Sequence, residues 1–200
     1  YTPIMNANNS LSVSLERPGA TSDQGQYGDD FVYGSLLDDV KPRFSVPDLS
    51  AEYRYSDSWG YLELSGIIRS IKWEDLNNDQ YDLSGSAVGW GLSFSTRLKV
   101  GNSVVFHGAL TTGAGIQNYM NDADADIGIK RQYGNTQTPI KGVAIPMVGV
   151  VTYFDINWSQ KLTSAVGYSV LKNNTTEAQL STAYEAGQYA SINLLYSPVK

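Results

Sequence analysis

Between Leu83 and Gly115 the chain keeps a two-residue rhythm almost without interruption, and that rhythm constrains its folding more than any other feature. Val88, Trp90, Leu92, Phe94, Thr96 and Leu98 share one parity, while Ala87, Gly89, Gly91, Ser93, Ser95 and Arg97 share the other. Successive strand side chains point to opposite faces, so these are the two faces of one long strand. After Lys99-Val100-Gly101-Asn102 the rhythm restarts, with Val104, Phe106, Gly108, Leu110 and Thr112 opposed to His107, Ala109, Thr111 and Gly113. The expectation is a β-hairpin turning about Gly101.

The second face carries little charge. A strand face open to bulk water on a soluble protein usually carries Lys and Glu, whereas this one is mostly Gly, Ala, Ser and Thr. An apolar, aromatic-punctuated face backed by a small, neutral one matches a transmembrane β-barrel wall, whose strands of ~9–11 residues alternate apolar-out and polar-in. The ordinary alternative is a core strand of a soluble β-protein, its small face packed on a second sheet.

The rest of the chain repeats the pattern. Tyr1–Met5 resembles the tail of a strand, followed by Ser10–Glu16, Leu49–Tyr55, Trp59–Trp73, the central hairpin, Val143–Phe154, Leu162–Leu171 and Gln188–Tyr196. Parity is uncertain past Ser70, where a bulge would fit, and Pro146 weakens the start of its strand. Long connections over about 17–47, 74–82, 117–142 and 172–186 alternate with short ones, which is the rim plan of an outer-membrane barrel. Residues 175–186 have the composition of a short helical turn. Trp59 and Trp158 fall at short turns and Trp73 at a long loop, as interfacial aromatic girdles require. The fold class expected is therefore all-β: residues 1–200 as one antiparallel transmembrane β-barrel domain, about nine strands of it, incomplete at the amino end.

Composition narrows the function. No apolar run reaches the ~18 residues that a membrane-spanning helix needs, so any span is made of strands. The chain has no cysteine and one histidine, which argues against thiol chemistry and zinc sites, and no cofactor is implied. A net charge of −6 argues against a nucleic-acid partner, and fourteen of the twenty acidic residues lie in the four long loops. Asp122-Ala123-Asp124-Ala125-Asp126 has the alternating carboxylates of a calcium loop, but Ile127 and Tyr133 stand where an EF-hand needs Gly and Glu; a solvated acidic loop is the default, and no metal site is assigned.

The segments SVSLERPGA, VPDLSAEYRY, GYLELSGIIRS, GWGLSFSTRLKVGNSVVFHGALTTGAGIQNYMND, NWSQKLTSAVGYS and YASINLLYSPVK, in that order, resemble the DcaP-like porins of Gram-negative outer membranes. The resemblance runs from about Leu11 to the end. It implies a sixteen-stranded, homotrimeric, water-filled barrel in outer-membrane lipid, passing small anionic solutes such as dicarboxylates. The chain departs from the family at Gln117 and Asn118, where a basic residue is usual, and at the turn Phe154-Asp155-Ile156-Asn157-Trp158. Nine strand segments make it a fragment of such a barrel, with the family's inward-folded constriction loop expected to be missing.

Arg54, Arg69 and Arg97 fall on the inward parity, and Lys99 follows on the same face. Guanidinium groups beside a water-filled path pair bidentately with carboxylates, which suits anion passage; the ordinary reading is lumen solvation with Glu52 and Glu63 as partners. His107, the single imidazole, is expected to line the lumen directly across from Ser95, which keeps a Ser-His barrel hydrolase in view without an orienting acid or oxyanion site. Three classes remain: a passive channel, a binding or adhesion module on a soluble β-scaffold, and a barrel hydrolase.

Overall fold

A computed structural model of the chain describes residues 1–28, 37–121 and 123–198. Alternation dominates it: the strands are β1 (Ile4–Met5), β2 (Asn9–Glu16), β3 (Val40–Pro42), β4 (Asp48–Asp57), β5 (Gly60–Asp75), β6 (Gly85–Val100), β7 (Val104–Ala114), β8 (Ile127–Arg131), β9 (Ile140–Ala144), β10 (Pro146–Asn157), β11 (Leu162–Asn173) and β12 (Ala186–Tyr196). Nine of them form one antiparallel wall in the order β1-β2-β4-β5-β6-β7-β10-β11-β12. The wall is an open sheet, with β1 and β12 as its edges. β3 pairs with the far end of β5, and β8 and β9 make a separate two-stranded ribbon inside the loop between β7 and β10.

The parities hold across the whole wall. Leu49, Leu62, Leu64, Ile68, Val88, Trp90, Leu92, Phe94, Leu110 and Val148 all lie on one face, and each exposes more than a third of its surface. The buried apolar cluster of Leu37, Leu83, Ile129, Ile140 and Ala178 sits among the long connections. An exposed apolar face of this extent is foreign to a water-facing sheet, since large contiguous apolar patches mark interaction with another protein or with lipid.

Several expectations need correction. β5 pairs with β6 in unbroken register from Gly60↔Leu98 to Trp73↔Gly85, so there is no bulge past Ser70. Pro146 begins β10, and Val143 and Ala144 belong to β9, because proline cannot donate to a ladder and the loop ribbon hands over to the wall there. Residues 175–185 form turns, not a helix. Trp73 is no girdle residue: it faces inward, half-buried, and its indole N–H donates to Leu83 O at 2.8 Å. Trp158 is well exposed at a short turn.

The central hairpin closes through a three-residue turn, Gly101–Ser103, with Gly101 at φ 65°, and Val100 pairs with Val104. The register therefore places His107 across from Arg97, and Ser95 across from Ala109. The expected Ser95–His107 pairing is wrong by two residues, because the turn is centred on Asn102 rather than Gly101.

Candidate functional site

The inward parities of the wall strands build a polar surface, and the long connections fold onto it. The segment after Gly115 does so most closely. Ile116, which exposes only 2% of its surface, lies over Gly91 and Gly113; a Cβ on Gly91 would sit 2.7 Å from Ile116 Cδ1. A 3-10 turn, Gln117–Tyr119, then carries Tyr119 and Met120 over the middle of the sheet. The connection between β7 and β10 thus supplies an inward-folded segment of its own.

Arg69 holds this segment down. Its Nε donates to Asp48 Oδ2 at 2.8 Å and its Nη1 to Asp126 Oδ1 at 2.9 Å, while further N–H groups cap Gly115 O and Gly19 O. Asp48, Arg69 and Asp126 expose 1%, 2% and 0% of their surfaces. Asp126 also accepts from the amides of Thr21 and Asn118, so one buried guanidinium ties the loops after β2 and β7 to β4 and β5. The Tyr119 hydroxyl donates to Asp48 Oδ2 at 2.8 Å, and its ring lies 5.0 Å from the Arg69 guanidinium carbon. Desolvation first, and the bond to Asp48 second, push the Tyr119 phenol up to about 12. Arg69 was expected to line an open solute path. It is buried, and its charge is matched by two carboxylates.

The other cationic candidates lie toward the short turns. Arg54 sits 3.7 Å from Glu63 and over the Tyr61 ring at 3.8 Å. Arg97 is exposed, beside His107 in the register. Lys99 donates to Ser58 O at 2.8 Å. His107 meets Asp155 at 2.8 Å, and Ser95 Oγ donates to Glu63 Oε1 at 3.0 Å, so the Ser and His that a hydrolase would join are each engaged elsewhere. Asp155 was assigned to a turn in the sequence, yet it faces inward near the end of β10.

Mid-height, the register aligns Ser12, Glu52, Ser65, Ser93 and Thr111 across five neighbouring strands. Ser93 and Thr111 share a hydrogen bond of 2.8 Å, and Glu16 accepts from Ser50 Oγ at 2.9 Å. Glu52 is exposed and has no partner among the described residues. No group of three or more His, Cys, Asp or Glu among the described residues is placed to hold a metal; Asp122, the first carboxylate of the candidate calcium loop, lies outside them.

An open antiparallel wall, apolar on one face, polar and loop-covered on the other, with short turns on one rim and long connections on the other, is the wall architecture of an outer-membrane β-barrel. The solved outer membrane channel DcaP of Acinetobacter baumannii has this fold: the chain superposes on it with a TM-score of 0.71 at 18% sequence identity, over 100% of its own residues and 51% of that channel's. The chain thus spans about half the length of the channel it matches. No family model matches the sequence, and no curated protein does.

Proposed function

We propose that this chain is part of the wall of an outer-membrane porin, a homotrimeric, water-filled and non-enzymatic channel through which small anionic solutes, dicarboxylates among them, diffuse passively. The observation that carries the reading is the inverted burial of the sheet. Leucines, valines and aromatics are exposed on one face, as lipid contact requires, while Ser, Thr and charged groups share the other with the inward-folded loops. Arg97 and Lys99 near the short turns supply exposed positive charge for passing carboxylates, with Arg54 and His107 beside them and partly matched by Glu63 and Asp155. Such a site holds an anion weakly enough to release it.

The test is reconstitution of the full-length protein in planar bilayers. Stepwise conductance that persists without added substrate, and a reversal potential in a salt gradient that favours anions, are expected. Solubility without detergent together with absent conductance would overturn the reading in favour of a soluble binding scaffold.

A further inference from the structure

At mid-height the wall changes character. A cavity of about 580 Å³ lies between the sheet and the inward-folded loop, bounded by the hydroxyl row on the strands and by Ile116, Tyr119 and Met120 above. Among the described residues its charged side chains are two carboxylates, Glu16 and Glu52, and no Lys or Arg lines it. Arg69, on the same face, is buried and bonded to Asp48 and Asp126.

We infer that this cavity is a subsite for polyhydroxylated solutes of neutral or positive charge, of the size of a mono- or disaccharide. The inference rests on the porin reading, since it names a second solute class for the same passage. Its chemistry is that of saccharide recognition. An unpartnered carboxylate such as Glu52 is an acceptor with two oxygens and takes both hydroxyls of a vicinal diol; Ser12, Ser65, Ser93 and Thr111 donate or accept as a sugar hydroxyl demands. Ile116, Met120 and the Tyr119 ring offer the apolar surface on which the C–H face of a pyranose packs. Dicarboxylates meet the opposite situation. Two carboxylates repel them, and no cation among the described lining residues compensates. Anions are therefore served by the basic residues near the short turns, and hydroxylated solutes by the mid-height cavity.

Glucose, glucosamine and gluconate present one hydroxylated skeleton in three charge states. Added to the full-length protein in planar bilayers, they should reduce the single-channel current in the order glucosamine, glucose, gluconate. Glu52→Gln keeps the shape and removes one of the two charges, so it should reduce the advantage of glucosamine over glucose, and Glu52→Gln with Glu16→Gln should abolish it. Ser65→Val with Ser93→Val should weaken the block by all three by about threefold to tenfold, the worth of one or two hydrogen bonds. Saturation-transfer NMR on the detergent-solubilised protein reads sugar contact without relying on conductance. Sugar contact without conductance would overturn the channel reading and leave the cavity; conductance with gluconate blocking as well as glucosamine, or with both sets of variants unchanged, would overturn the cavity and leave the channel.

Discussion

Replacing Arg69 by Met removes the one cation that two fully buried carboxylates share while retaining much of the side chain's length. Asp48 and Asp126 lose bonds of 2.8 and 2.9 Å, the carbonyl of Gly115 loses its Arg69 donor, and that of Gly19 keeps only the Asn118 side-chain amide. Removing one member of a buried ion pair costs ~3–5 kcal/mol, because the remaining charge stays desolvated. The wall ladder does not run through the guanidinium, so the cost falls on docking of the loops. An opening equilibrium should shift by roughly a hundredfold to a few thousandfold. Amide hydrogen exchange of the full-length protein in detergent is the assay: Thr21, Gly115 and Asn118 should lose protection, while the paired amides of β5 and β6 keep theirs. Single-channel recordings should gain open-level noise. The triple change Asp48→Asn, Arg69→Met, Asp126→Asn removes the stranded charges and should recover part of the protection. Unchanged exchange at those three amides in Arg69→Met would refute the reasoning, since the loop would then be held by its apolar contacts alone.

Leu92, half-exposed on the apolar face, and its neighbour Ser93 on the polar face test the phase of the wall: Arg at Leu92 should cost ~2–4 kcal/mol of refolding stability in lipid if the position lies near the bilayer midplane, while Ser93→Arg should fold and reduce conductance. Exchanged effects would reverse the two faces. Arg97→Gln with Lys99→Gln should move the reversal potential away from anion preference, and an unmoved potential would remove both from solute passage. Ser95→Ala and His107→Ala should leave no ester hydrolysis to lose; measurable turnover that either change abolishes would make the barrel an enzyme. A group whose folded pKa is raised contributes stability that is complete below its unfolded value and lost as pH rises through the folded one. The Tyr119 contribution to loop docking should accordingly persist to about pH 10 and vanish near pH 12, and Tyr119→Phe should delete one late-titrating phenol from an ultraviolet titration.

The faces of the wall were legible because a two-residue period is a local property: parity at Leu92 and Ser93 needs no knowledge of any other strand. Register was less so. It depends on where the turn is centred, and a turn centred on Asn102 instead of Gly101 shifts the pairing by two residues, which moves His107 from Ser95 to Arg97. The buried state of Arg69 could not be read from its parity, since its partners lie 21 and 57 residues away and one of them, Asp126, sat in a stretch with calcium-loop spacing. The β8–β9 ribbon was missed because Gly128 and Gly142 interrupt its alternation, and its apolar residues pack into the cluster among the loops. The hydroxyl row has no signature in the linear sequence. Five residues from five strands become neighbours only when every register is known.

Ile116 rests on Gly91 and Gly113, so what separates the inward segment from the wall is the thickness of bare main chain. The gap between that segment and the sheet is thus metered in single carbon atoms. Alanine at position 91 acts as a shim, and a larger residue there acts as a wedge. In a channel of the proposed kind, exchanging that one glycine for a slightly larger residue would regrade the solutes admitted without changing the strand pairing of the wall. Sieving is then inherited separately from the barrel that carries it.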